Sequence, residues 1–296
     1  MAKVPRSLGA RAAAVVAALA FSAPILYHCL SSTTLAFDHF ESAKRAILAA
    51  VPGRVSPSEQ PAPFQCRPHA YTTELVSLDP LVIYIDSFLA PAEITALLAA
   101  GEAEFAPSEV VKRGHEQRTA DRTSQSAGLP ADDATVRCVL GRAEAFMGTL
   151  LDGRRGEIGP PQLVRYTAGQ RFNVHHDWYD RPQPARRDKR RLGRSWNRVA
   201  SFFAVLQDGC TGGATHFPYV KARARAPAGI SGAQSNGTWY EHEGGGIAFR
   251  PVRGNAVFWV NLHANGTGDQ RVMHAGLPLE GGLKTAMNIW PRQYYE

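Results

Sequence analysis

A histidine and an aspartate stand two residues apart in Tyr166-Thr167-Ala168-Gly169-Gln170-Arg171-Phe172-Asn173-Val174-His175-His176-Asp177, after a short apolar alternation. On a strand, residues i and i+2 project to the same face. His175 and Asp177 can therefore grip one metal ion while His176 between them points away. His176 is an equally good ligand type, and only the register against Tyr166 and Gly169 selects His175. A third ligand candidate lies far down the chain, His274 in Gln270-Arg271-Val272-Met273-His274-Ala275-Gly276-Leu277-Pro278. Two histidines and one carboxylate form the facial set that suits non-haem Fe(II), because it leaves metal positions open for oxygen and substrate. Lys284 then opens a second apolar run, Lys284-Thr285-Ala286-Met287-Asn288-Ile289-Trp290. A buried cation beside a metal site suggests an anionic co-substrate, and lysine holds a carboxylate as a point charge. Each feature alone has an ordinary explanation: an incidental His-x-Asp, a surface histidine before a turn, a solvated strand end. Their joint spacing is what carries chemistry.

The order of motifs extends the pattern. Arg165-Tyr166 and Gly169-Gln170 precede His175 and Asp177. Asn197-Arg198-Val199-Ala200, Gly212-Gly213-Ala214-Thr215-His216-Phe217-Pro218 and Gly254-Asn255-Ala256-Val257-Phe258-Trp259 follow, before His274, Lys284 and Trp290. Over residues 70–296 this resembles the Fe(II)/2-oxoglutarate dioxygenases of the prolyl 4-hydroxylase alpha-subunit type. The resemblance implies a double-stranded β-helix (jelly-roll) core and an iron held by His175, Asp177 and His274. It implies that Lys284 binds the distal carboxylate of 2-oxoglutarate, helped by the hydroxyls of Tyr166 and Thr215. Arg198 and Trp290 match positions on the substrate side, and L-ascorbate is the implied reductant of oxidised iron. Dioxygen and 2-oxoglutarate are the small partners, with a peptidyl proline as prime substrate. Ala214 stands where the family often has Glu, and Thr285 where it often has Trp. Both departures bear on substrate specificity rather than on the metal. A small molecule or another side chain is the alternative substrate. A catalytically inactive metal-binding domain for partner recognition is the alternative outside enzymes.

A chain of 296 residues with 44% hydrophobic content can bury a substantial core. The net charge of +7 comes from one place, because Arg181, Arg186, Arg187, Lys189, Arg190, Arg191, Arg194 and Arg198 face only Asp188 between positions 181 and 198. The rest is near neutral, which excludes a broad nucleic-acid footprint. The segment is read as a solvated loop, or as a cover that attracts an acidic partner. Residues 1–31 read as an address. Lys3, Arg6 and Arg11 precede an apolar stretch from Ala12 to Leu30, interrupted by Pro24. Its basic flank favours a cytoplasmic N-terminus with the remainder translocated. An uncleaved signal anchor would give a type II membrane protein of the endoplasmic reticulum. Cleavage near Ala18-Leu19-Ala20 would instead give a secreted protein. The sequons Asn236-Gly237-Thr238 and Asn265-Gly266-Thr267 accord with either. Cys66, Cys138 and Cys210 lie beyond the apolar stretch. They allow one disulfide and one free thiol, with the pairing open.

The elements needed to position these residues follow from patterning. Residues 32–68 read as a stalk, and residues 69–296 as the catalytic domain with a core at 159–293. Residues 81–86 suggest a strand, and Pro91 opens a helix to about Glu104. Val136, Leu140, Ala143, Met147 and Leu150 form a core stripe at helical spacing within 132–151. Short strands are expected at 162–166, 172–177, 198–206, 246–250, 255–261, 271–275 and 284–290. Residues 219–245 read as a surface loop. Helices first and many strands afterwards give a mainly β fold with flanking helices.

Overall fold

The chain divides into Met1–Ala62 and Pro63–Glu296. The computed structural model describes residues 64–112, 115–151, 156–185, 193–223 and 237–295. The expected signal segment, most of the stalk, the sequon at Asn236 and the arginines from Arg186 to Arg191 lie outside the described residues. Among the described residues no helix is long and apolar enough to cross a membrane.

An eight-stranded sheet forms the larger layer, in the order Thr72–Ser77, Val82–Asp86, Ala256–Val260, Ala200–Gly212, Leu279–Ile289, Gln162–Thr167, Gln125–Gly128 and Ala106–Pro107. A five-stranded sheet opposes it, in the order Trp239–Glu241, Ile247–Phe249, Thr215–Phe217, His274–Gly276 and Phe172–His175. All recorded pairings in both are antiparallel. This is the two-sheet jelly-roll architecture that the resemblance implies, and the mainly β character that the patterning predicts.

Alternation along the central strands decides which side chain meets which layer. Phe202, Ala204 and Leu206, with Met287 and Ile289 on the neighbouring strand, pack on the outer face against Ile94, Leu97, Val136, Val139 and Met147 of two helices. Those helices span Pro91–Gly101 and Ala134–Met147. Pro91 opens the first, and Asp133 caps the second by accepting from the backbone N–H groups of Thr135 and Val136. The inner face builds a second core between the sheets, including Tyr84, Val257 and Trp259 from the large sheet and Phe217, Ile247 and Phe249 from the small one. Helices therefore cover one face of the large sheet and leave the other to the site.

Several expectations shift by a turn or less. The strand after Gly169 ends at His175, and Asp177 sits in the bend beyond it. Residues 270–272 form a 3-10 turn capped by Asp269, and the strand begins only at His274. The run containing Lys284 starts at Leu279, so the lysine is mid-strand. Leu150 does not extend the helical stripe: it lies in a 3-10 turn and is 57% exposed. Within the expected loop 219–245, Val220 and Trp239 are buried and Trp239–Glu241 is a strand. The helical turn loses its register once the α-helix ends at Met147, which moves Leu150 off the buried face.

Two cross-links fasten the helical layer. Cys66 and Cys138 form a disulfide, and Cys210 is free. Glu93, buried in the first helix, receives Arg142 of the second through two hydrogen bonds of 2.7 and 2.6 Å. The same carboxylate accepts the Ala90 N–H at 2.8 Å. Removing one partner of such a pair strands the other in an apolar layer. Arg142→Ala should cost about 3–5 kcal/mol of folding stability. Urea unfolding checks this, and a loss within experimental error of zero would show the pair to be dispensable.

Candidate active site

Sheet pairing brings the two histidines together. His274 is the register partner of His175 across the antiparallel strands His274–Gly276 and Phe172–His175. Their ring centres lie 4.3 Å apart. Asp177 joins them from the bend, so that one ligand atom from each of the three residues lies within 4.8 Å of the others. Both imidazoles are oriented from behind. His175 Nδ1 donates to the Asn173 carbonyl at 2.8 Å, and His274 Nδ1 to the Val272 carbonyl at 3.1 Å. A carbonyl only accepts, so each bond puts the proton on Nδ1 and leaves the Nε2 lone pair for a metal. Phe172 stacks on His175 and Phe217 on His274, further limiting ring rotation.

His176 behaves as the sequence predicts. Its Nδ1 bonds the Trp178 carbonyl at 2.8 Å, its ring stacks on Trp178, and its Nε2 is 3.6 Å from Asp180. It is not a member of the cluster. Asp177 gains its place from a different source than strand alternation. Asn197 exchanges two hydrogen bonds with the Tyr179 backbone, 2.8 and 2.9 Å, and so fixes the bend that carries the aspartate. Ser201 Oγ donates to Asp177 Oδ2 at 2.6 Å and Trp290 Nε1 donates to the same oxygen at 3.1 Å.

Electrostatics suit a metal. Burial pushes the His175 and His274 imidazoles below their ordinary range, reinforced at His175 by the neighbouring His274. Burial opposes ionisation of Asp177, but the two imidazoles, Arg198 and the Ser201 hydrogen bond outweigh it and hold the carboxyl below its usual range. Two neutral nitrogens and one carboxylate are the protonation states a divalent ion requires.

A cavity of about 1070 Å³ opens above the triad, lined among others by Tyr166, Thr215, Arg198, Trp290, Arg122 and Val174. Lys284 is 2% exposed, and its Nζ donates to the Gly213 carbonyl at 2.6 Å. That carbonyl is presented by a Gly212-Gly213 turn in which both residues have positive φ. The register pairs Lys284 with Tyr166, and Nζ is 5.6 Å from the Tyr166 ring centre and 5.0 Å from that of Phe203. Burial lowers the lysine to about 8. Arg198 lies with its guanidinium 3.7 Å over the Trp290 ring, donating to the Asp177 backbone carbonyl at 3.2 Å. Sequence reasoning assigned no role to Ser201, Asn261 or Arg122. Arg122 reaches the cavity while bonded to Ser124, Ser126, Gln162 and the Glu109 carbonyl. Ser201 carried one usable signal, its place directly after Asn197-Arg198-Val199-Ala200.

His175→Ala or His274→Ala should abolish stoichiometric Fe(II) binding, measured by calorimetry under anaerobic conditions, while His176→Ala should leave it within a few-fold of wild type. Loss of binding in His176→Ala with retention in His175→Ala would reverse the ligand register. The depressed imidazoles also set a pH dependence for the metal-free protein. Unfolded histidines take up protons near pH 6.5, whereas the buried pair resists. The unfolded state then binds more protons, so stability should fall progressively as pH drops below about 6.5. Urea midpoints at pH 7 and pH 5 measure this, and the fall should be smaller in His274→Ala.

No family model matches the sequence. Among curated proteins, Prolyl 4-hydroxylase 1 of Arabidopsis thaliana is 28% identical over 225 residues, covering 74% of this chain and 71% of the relative. Prolyl 4-hydroxylase subunit alpha-3 of Homo sapiens is 29% identical over 224 residues, covering 75% of this chain but only 35% of that subunit. The structure of viral collagen prolyl hydroxylase from Paramecium Bursaria Chlorella virus-1, in its 2OG complex, covers 72% of this chain and 96% of its own, with a TM-score of 0.50 and 20% identity. That likeness shows the fold. The chain is thus similar to prolyl 4-hydroxylases in sequence and to a solved prolyl hydroxylase in fold, and the residues gathered at its cavity floor suit an Fe(II)- and 2-oxoglutarate-dependent dioxygenase.

Proposed function

We propose that the enzyme hydroxylates prolyl residues of a peptidyl substrate in the secretory pathway. The observation that carries this reading is the convergence of two Nε2 lone pairs and one carboxylate beneath a cavity that also exposes an arginine–tryptophan stack. His175, Asp177 and His274 would hold Fe(II). Bound iron supplies the redox chemistry that couples decarboxylation of 2-oxoglutarate to succinate with transfer of one oxygen atom of dioxygen into a C–H bond. Lys284 holds the distal carboxylate of 2-oxoglutarate as a point charge, with the Tyr166 and Thr215 hydroxyls as further donors. Both hydroxyl-bearing residues are buried and line the cavity. Arg198 and Trp290 form the substrate wall, where the indole face offers an apolar surface to a pyrrolidine ring and the guanidinium offers donors to peptide carbonyls. L-ascorbate is the reductant that returns spent iron to Fe(II). Sequence similarity to prolyl 4-hydroxylases supports the prolyl substrate.

The endoplasmic reticulum is the proposed compartment, with residues 1–31 as a signal anchor, or as a cleaved signal if the protein is secreted. The Cys66–Cys138 disulfide supports an oxidising lumen.

Incubation with Fe(II), 2-oxoglutarate, ascorbate and proline-rich peptides should release succinate and add the mass of one oxygen to a prolyl residue. Succinate release without oxygen on any peptide in the panel would sink the prolyl assignment. Lys284→Ala leaves the co-substrate carboxylate buried and unpaired, a cost of roughly 3–5 kcal/mol. Its 2-oxoglutarate requirement should rise by about two to four orders of magnitude. Unchanged dependence would remove Lys284 from the co-substrate site. Because the lysine loses its proton near 8 in the unliganded protein, 2-oxoglutarate affinity should weaken as pH rises through that value. Calorimetric titrations from pH 7 to 9 follow it.

A further inference from the structure

Asp177 has two carboxylate oxygens, and the protein treats them differently. Oδ2 accepts both the Ser201 hydroxyl and the Trp290 indole N–H. Oδ2 is also the oxygen that faces the His274 Nε2, 4.0 Å away. Ser201 is wholly buried and sits on the inward side of its strand, between Ala200 and Phe202, which pack outward. A carboxylate only accepts, so the single hydroxyl proton of Ser201 must point at Asp177. Its oxygen is then left to accept from another group, and Asn261 Nδ2 fills that place at 2.9 Å. The orientation of Asn261 follows from this chain. Its amide group turns its nitrogen to Ser201, although its Oδ1 then finds no partner among the described residues. Asn261 is itself wholly buried, and its backbone is held by Val199 and Asp269. The indole of Trp290 arrives from the other side, off the end of the strand Leu279–Ile289, which pairs with the strand bearing Ser201.

We infer that Ser201, backed by Asn261, and Trp290 are positioning residues that clamp the Asp177 carboxylate and hold its Oδ2 toward the histidines, ready for a metal. This rests on the reading of His175, Asp177 and His274 as the metal site. Hydrogen bonds to a ligating carboxylate fix its plane and favour its ionised form. The clamp also accounts for how an aspartate outside a strand is oriented as firmly as the histidines within theirs. Trp290 thereby has two uses, its ring face beside Arg198 and its N–H toward the metal ligand.

Co(II), whose visible absorption reports ligand geometry, is the probe. Wild type, Ser201→Ala, Ser201→Thr, Asn261→Ala and Trp290→Phe are titrated anaerobically with Co(II), and their circular dichroism and urea midpoints are recorded. Partners of a ligand are worth about 10–100-fold in metal affinity. Ser201→Ala and Trp290→Phe should each weaken Co(II) binding by about tenfold or more and alter its absorption bands. Asn261→Ala should have a smaller effect in the same direction, and Ser201→Thr, which keeps the hydroxyl, should recover most of the loss. Trp290→Phe keeps the ring stacked on Arg198 and serves where a Ser201 variant fails to fold. If wild type itself binds no Co(II), the metal site falls and the clamp with it. If wild type binds, and folded Ser201→Ala and Trp290→Phe both bind within twofold with unchanged spectra, the clamp alone is overturned.

Discussion

The structure turns on the cost of keeping a buried carboxylate ionised. Asp177 is 7% exposed, and burial by itself would favour its neutral form. Such an anion persists only where donors and opposite charge are already arranged around it. Here the arrangement comes from distant parts of the chain. Asn197 fixes the bend, Ser201 and Trp290 supply donors, and two imidazoles stand opposite. The strand carrying Ser201 must therefore lie beside the one leading to Trp290, and the small sheet must close over both. The fold can be read as the set of pairings that makes this one anion tolerable.

The two sheets divide the labour. Register in the small sheet sets His175 opposite His274, while register in the large sheet sets Lys284 opposite Tyr166. Strand period does the rest: Lys284, Ala286, Asn288 and Trp290 follow one face, and Met287 and Ile289 join the helix-covered core on the other. A slip of one residue in this strand would send the lysine into the helical layer and a leucine or threonine into the cavity. The placement of the two histidines and the lysine is thus inherited from backbone pairing, while Asp177 is held by hydrogen bonds to its bend and its carboxylate.

Much of this was legible in the chain. Residue types and the i, i+2 spacing identified His175 and Asp177, and the even spacing of Lys284 and Trp290 fits one face of a strand. The β character was readable from short apolar runs between Gly- and Pro-rich turns. What the sequence hid was tertiary. Nothing local in Asn261 distinguishes a buried clamp from a solvated polar residue, because its partner Ser201 lies 60 positions away. Asp177 was found by a strand argument, yet it stands past the strand's end, held by Asn197. Leu150 was assigned to the core by a helical period that ceases to apply once the helix tightens into a 3-10 turn. The pairing of Cys66 with Cys138, separated by 72 positions, likewise needed the fold.

That disulfide has a mechanical consequence. The first strand, Thr72–Ser77, lies at the edge of the large sheet and is paired on one side only, with Val82–Asp86. Tension applied at the N-terminal end of the chain would otherwise reach this strand directly and peel it residue by residue. The bond at Cys66 precedes the strand and leads to Cys138 in the helix Ala134–Met147. Load entering from that end is diverted into the helix, which is backed by the Glu93–Arg142 pair and the whole outer core. The edge strand is left as slack. Reduction of the bond would move the load path from the helix to an edge strand of the sheet, with the metal ligands still untouched.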